Sequence, residues 1–313
     1  MFNFHDAHAT MPLGAAKLLH ERRHKLKGTV KLVFQPAEEG KAGAFHVLKE
    51  GALDNVQGFL GLHVSPHIPA ATIASRPAPM LASSGRFLVT IRAKGGHAAF
   101  PHLNKDPVLA ASMAIIVLQQ IIQRETDPLQ PKLGFVERNH TGNLIPEKVE
   151  FGGTFRSFTA QEQSYIQKRI REVIEMQAVV YGCSGTVDFM EDRMMPYPPT
   201  VNDEALYEHN KRVGEALLGR SSTWEAQCEV FSVYIAAEDF SFYTQKMAAS
   251  FFVIGIYNET MNSGTQTHSP YFVLDEEVLP IGAAFYAAVA ISYFDSQLPL
   301  LNKMIPEVNF TST

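Results

Sequence analysis

Apolar and polar positions fall into blocks along the chain, and each block has its own period. Between residues 9 and 26, Met11, Ala15, Leu18 and Leu19 share one helical face while Lys17, Glu21, Arg22 and Lys25 fall elsewhere, which predicts an amphipathic helix. Residues 28–34 switch to a strand pattern, with Thr29 and Val30 leading into Leu32, Val33 and Phe34, and Pro36 ends it. A helix follows over 42–50 and a short apolar strand over 59–64. Between residues 77 and 84, Ala, Pro and Ser replace the periodic pattern, which marks a boundary. The next block reads strand (86–93), helix (106–124), strand (132–138), strand (148–155), helix (160–181) and strand (185–190). That β-α-β-β-α-β order is the ferredoxin-like arrangement. A proline-rich stretch over 194–199 returns the chain to a helix (203–218), a strand (250–256) and a last apolar helix (280–293). The expected fold class is therefore α/β: one discontinuous domain over 1–82 and 194–313, interrupted by a compact βαββαβ domain over 83–193.

Composition narrows the function classes. With 313 residues, 46% hydrophobic and 19% charged, the chain is globular and long enough for two domains. A net charge of -5 without a Lys/Arg cluster argues against nucleic acid and anionic membrane as partners. The apolar run 281–294 is too short to cross a bilayer and reads as a buried helix. Two cysteines are too few for a disulfide framework. No charged segment followed by an apolar stretch precedes the folded sequence, so no signal peptide is expected.

The candidate chemistry centres on Glu38 and Glu39, which follow the 28–34 strand. In open α/β sheets ligands gather beyond the carboxyl ends of strands, where one carboxylate can bind a metal while its neighbour moves a proton. The plainer alternative is a solvated turn, since glutamate is mostly exposed. His5 and His8, three residues apart, and His63, inside an apolar strand, add imidazoles. Each taken alone has a bland reading, the last as a satisfied core histidine.

Six segments in order carry a resemblance: His5-Asp6-Ala7-His8, Pro36-Ala37-Glu38-Glu39-Gly40, Gly61-Leu62-His63-Val64, Gly95-Gly96-His97-Ala98-Ala99-Phe100-Pro101-His102, Ala237-Glu238-Asp239-Phe240 and His268-Ser269-Pro270-Tyr271-Phe272. Together they resemble the metal-dependent amidohydrolases of aminoacylase and carboxypeptidase type, and most closely the plant IAA-amino acid hydrolases. The resemblance implies a metallohydrolase domain binding two divalent ions, Mn or Zn, with the inserted domain as a lid that also pairs subunits into a homodimer. By it, His5, Glu39, His63 and His268 match metal ligands and Glu38 the general base. His97 matches a residue that reaches into the partner's site to stabilise the oxyanion. Asn143 and Arg156 match lid positions that contact substrate, and Asp6 and Glu238 match groups that orient imidazoles or water. The implied reaction is hydrolysis of the amide bond of N-acyl amino acids, with auxin conjugates as the expected substrates.

The sequence also departs from that pattern. Asn3 falls where these relatives carry a cysteine ligand, the amino-terminal part of the catalytic domain is expected to be missing, and Phe310-Thr311-Ser312-Thr313 lacks the ER-retention tetrapeptide common among the plant enzymes. Family members are often in the ER; the compartment of this chain stays open. A second reading follows from these departures: a catalytically impaired isoform that serves as a dimerisation or ligand-binding protein.

Overall fold

The computed structural model describes residues 4–121, 125, 144–219, 223–225, 236–261, 263 and 267–304, and the side chains of 223–225 and 297–304 are left aside. The expected strand over 132–138 and the expected ligand and substrate positions Asn3 and Asn143 lie outside the described residues.

The main sheet is built on β1 (Gly58–Pro69), which runs parallel to β11 (Ala248–Tyr257) in the register His63↔Val253. The short strand β2 (Ile73–Ser75) lies antiparallel to β11, and β10 (Thr223–Glu225) lies parallel to β2. Alternation along the strands sends Leu62, Val64, Phe252, Ile254 and Ile256 to one face and Phe251 and Val253 to the other. The first face is covered by α1 (Phe4–Glu21) and α8 (Val278–Met304), and the second by α3 (Gly43–Lys49) and α7 (Ser241–Thr244). The result is an α/β/α sandwich with an apolar core on each side of the sheet.

Helix α1 begins at Phe4 rather than near residue 9, because Phe4, Ala7, Met11, Ala15 and Leu19 form one continuous buried stripe. His5 and His8 are therefore on the first turns of the helix and not ahead of it. Helix α8 extends past its expected end to Met304. Its segment Val278–Ser296 is long and apolar enough to span a membrane by length and composition, contrary to expectation. It is nonetheless packed as a core helix, with Phe285 and Val289 on the sheet side and Ala287 against α1. Gly282 lets α8 approach α1, since a Cβ there would sit 2.1 Å from the Met11 sulfur.

The expected strand over 28–34 does not form. The apolar pattern is present, but a strand needs a neighbour at about 4.8 Å, and no ladder joins this segment to any described strand. A cavity of about 880 Å³ is lined by residues 29–36 and by Gly58 to His63 of β1, and so separates the two. Leu32 and Phe34 are correspondingly 39% and 51% exposed. The amides of residues 29–35 should therefore exchange with solvent much faster than those of β1 and β11. Equal protection in a hydrogen-exchange measurement would mean that the segment is paired in solution.

The inserted region has its own core. Strand β4 (Gly85–Arg92) lies between β7 (Lys148–Phe155) and β8 (Ser184–Asp188), antiparallel to both, under α4 (Pro107–Gln120) and α5 (Ala160–Val180). Phe87, Val89, Ile91, Leu118, Phe151, Ile170 and Ile174 fill it. Helices α4 and α5 start on side-chain caps: Asp106 accepts from the Val108 amide and Thr159 from the Glu162 amide. The two crossings between the regions run together. Strand β3 (Ala78–Leu81) pairs with β9 (Thr200–Asn202), and Ser84 and Tyr197 exchange both backbone hydrogen bonds at 2.9 Å.

Candidate metal centre and active site

Four imidazoles surround one buried ring. Phe4 lies with its centroid 3.9 Å from His5, 5.6 Å from His8, 5.8 Å from His63 and 5.0 Å from His268. The helical repeat of α1 puts His5 and His8 on neighbouring turns, β1 delivers His63, and the turn after residue 267 brings in His268. Glu39 closes the group: its Oε1 is 3.7 Å from His5 Nε2 and 3.6 Å from His268 Nε2.

The protonation pattern is that of metal ligands. His63 Nδ1 is 2.6 Å from the Val64 carbonyl, which can only accept, so the proton sits on Nδ1 and the Nε2 lone pair is left over. Burial pushes His63 down to about 4, helped by the positive fields of His5 and His268 and opposed by the bond to Val64. His8 Nε2 accepts from the Val64 amide at 3.1 Å, and burial, with His63 and His5 adding, holds it well below the usual imidazole range. Neutral imidazoles beside a carboxylate are a donor set suited to Zn or Mn. The residues present therefore fit divalent metal.

The carboxylates are presented by a tight turn, α2 (Glu38–Lys41), whose flanking residues Ala37 and Ala42 both adopt left-handed backbone, with φ of 65° and 53°. Such backbone in alanine persists only where the surroundings over-determine it. Gly43 lets the chain fold back, since a Cβ there would lie 1.9 Å from the Pro36 carbonyl. Asp239 accepts from the Ala44 amide at 2.9 Å and from Gln35 Nε2 at 2.8 Å, while Tyr243 donates to Gln35 Oε1 at 2.7 Å. The Tyr197 hydroxyl donates to the Glu38 carbonyl and accepts from the Ala42 amide at 3.2 Å. Burial pushes that phenol up to about 12, so it stays a donor at neutral pH.

Glu38, Glu238 and Asp239 bring carboxylate oxygens within 4.8 Å of one another. Burial first, then the charges of Asp239 and Glu39, raises Glu38 from 4.5 to about 7. Glu238 is raised well above the carboxylate range, again chiefly by burial and then by Glu38 and Asp239. Asp239 is raised by burial, against the bonds from Ala44 and Gln35. Raised toward protonation and lining the same cavity as His5, His8 and His63, the trio can hold a proton beside the imidazoles. A carboxyl poised near 7 can accept a proton from water and return it to a leaving amine.

Of the remaining candidate residues, His97 and Arg156 belong to the inserted region. Asp6 is exposed on α1. Arg156 is half-buried just past β7, and its ionised form is disfavoured by burial and then by Arg86. His97 is exposed on β5 (Gly96–His97), where its Nδ1 accepts from the Ala99 amide at 3.0 Å. Neither His97 nor Arg156 is among the residues lining the cavity beside His63. Sequence reasoning weighed His8 as an imidazole that could share a site with His5 and assigned no role to Asp239 or Tyr197; the Glu238-Asp239 pair was an available signal, whereas Tyr197 lay unmarked in the proline-rich stretch.

A family model for peptidase family M20/M25/M40 matches residues 5–292. The chain belongs to this family. It is 45% identical over 303 residues to the IAA-amino acid hydrolase ILR1-like 4 of Arabidopsis thaliana, covering 96% of this chain and 68% of the relative. An N-acetylcysteine deacetylase of Bacillus subtilis is 34% identical, with 92% of this chain and 72% of that protein covered. The crystal structure of a dinuclear metal-binding M20 peptidase from Bacillus subtilis superposes with a TM-score of 0.75 at 29% identity, covering 93% of this chain and 72% of that one. Across the plant relatives, this chain spans between 62% and 68% of their length.

Proposed function

We propose that this M20-family chain hydrolyses the amide bond of N-acyl amino acids, with auxin conjugates as the leading substrate class. The observation that carries the reading is the convergence of His5, His63, His268 and Glu39 around Phe4, with the raised carboxyl of Glu38 next to them. The names of the relatives, an auxin-conjugate hydrolase and a deacetylase, support the same reaction class.

His5, Glu39, His63 and His268 would hold two divalent ions, Mn or Zn, which when bound supply Lewis acidity at the scissile carbonyl and acidify water. Glu38 would take a proton from the attacking water and deliver it to the departing amine, and burial with the charges of Asp239 and Glu39 holds its carboxyl near 7, where both transfers proceed at neutral pH. Arg156 offers a guanidinium for the free carboxylate of the amino acid. The exposed His97 is available to a partner's site in a homodimer formed through the lid. Ile116 on α4 and Met176, Val179 and Val180 on α5, all exposed, support such pairing.

The purified chain should hydrolyse members of an N-acyl amino acid panel once Mn or Zn is added, and a chelator should abolish turnover. The same panel with Asn3→Cys tests the ligand position outside the described residues. Turnover in neither form would sink the proposal, and a folded, metal-free dimer would then favour the dimerisation or ligand-binding role.

A further inference from the structure

The turn that carries both functional carboxylates has left-handed alanines at its two ends, so its shape has to be imposed from outside. Part of the imposition comes from Asp239, on the segment leading into α7. A further part comes from a residue on neither neighbouring element. Tyr197, 7% exposed, spans the turn with a single hydroxyl, bonding the carbonyl of Glu38 and the amide of Ala42.

The position of Tyr197 in the chain gives this bond a wider reach. Its backbone amide and carbonyl are both bonded to Ser84, so it sits where the segments entering and leaving the lid cross. One residue before Ser84, the Ser83 hydroxyl lies 2.8 Å from that of Ser157 and accepts from the Ser157 amide at 2.9 Å; Ser157 directly follows Arg156. The Tyr197 ring rests edge-on against Phe242, which in turn meets Phe45 of α3 just after the turn. One residue thus joins the lid crossing, the strand end bearing Arg156 and the Glu38–Ala42 turn.

We propose that Tyr197 is a positioning residue whose hydroxyl locks the turn so that Glu38 and Glu39 both face the cleft, and ties that geometry to the placement of the lid. This rests on the proposed hydrolase function for its kinetic consequence, but not for its structural one.

The test is Tyr197→Phe, which keeps the ring on Phe242 and removes only the hydroxyl. The Ala42 amide should exchange on the order of tenfold faster, while amides of β4 and β7 keep their protection. Mn affinity should fall on the order of tenfold, as when an orienting partner of a ligand is lost, and kcat should fall with KM nearly unchanged. An unchanged Ala42 amide overturns the proposal. So does a faster amide with Mn affinity and kcat both unchanged, because the hydroxyl would then be structural only. If the unmodified chain hydrolyses nothing in the panel, the proposed function fails by itself, and the amide and the Mn affinity still decide the role of Tyr197.

Discussion

Glu38→Gln is expected to lower kcat for amide hydrolysis by about 10²–10⁴-fold, the range contributed by a positioned proton-transfer group, and to leave Mn or Zn affinity unchanged. The two expectations separate because adjacent glutamates do different work. Glu39 Oε1 faces His5 and His268, whereas the carboxyl of Glu38 is set among Glu238 and Asp239. Glutamine keeps the size and the backbone carbonyl that Tyr197 holds, and removes only the titrating group. Calorimetric titration with Mn beside steady-state kinetics checks both halves. A parallel loss of metal would make Glu38 a ligand, and an unchanged kcat would remove it from the chemistry.

The same substitution has a pH signature in the chain stripped of metal. Glu38 titrates near 4.5 when unfolded and near 7 when folded. At Glu38 the folded chain therefore holds more protons than the unfolded one between those values, so this group's contribution to stability falls as pH rises through that window, while His63 and His8, held neutral, contribute in the opposite sense. Glu238, raised in the same direction, adds to the fall. In Glu38→Gln this contribution should be lost, so the variant should gain stability relative to the unmodified chain as pH rises from 4.5 to 7. Urea midpoints followed from pH 4.5 to 7 in the presence of a chelator would show it, and identical slopes for the two chains would mean that Glu38 is not held in its protonated form.

What could be read from the sequence follows from how local each determinant is. Helices α4 and α5 and strands β4 and β7 come within a few residues of expectation, because their apolar periods run over eight or more positions or end at caps such as Asp106 and Thr159. The 28–34 segment shows the limit. Its pattern is that of a strand, but a ladder also needs a partner edge, and pairing is not written into the segment itself. The site divides in the same way. His5, Glu38, Glu39, His63 and His268 are legible from the short segments that contain them. Asp239 and Tyr197 act across 195 and 155 residues to hold Ala44 and Ala42, and nothing near them in sequence announces such a bond.

Phe285→Ala is expected to destabilise the chain by about 3–5 kcal/mol, the range for truncating a fully buried phenylalanine, and to weaken metal binding as well. Phe285 is completely buried in α8, its ring 5.6 Å from Phe252, in the core that also contains Phe4, Met11 and Leu62. The helix α8 holds α1 against the sheet, and α1 carries His5 and His8. A cavity at Phe285 therefore loosens the support of the imidazoles, although no atom of Phe285 belongs to the site. Ile174→Ala supplies the contrast, because Ile174 is equally buried but in the separate core of the inserted region. Its cost should be about 2–5 kcal/mol, with metal affinity retained. Urea unfolding and Mn titration of the two variants discriminate the cases. Equal loss of metal affinity in both would mean that the core of the inserted region also supports the imidazoles, whereas a cost below about 1 kcal/mol for Phe285→Ala would mean that α8 does not anchor α1 as its packing indicates.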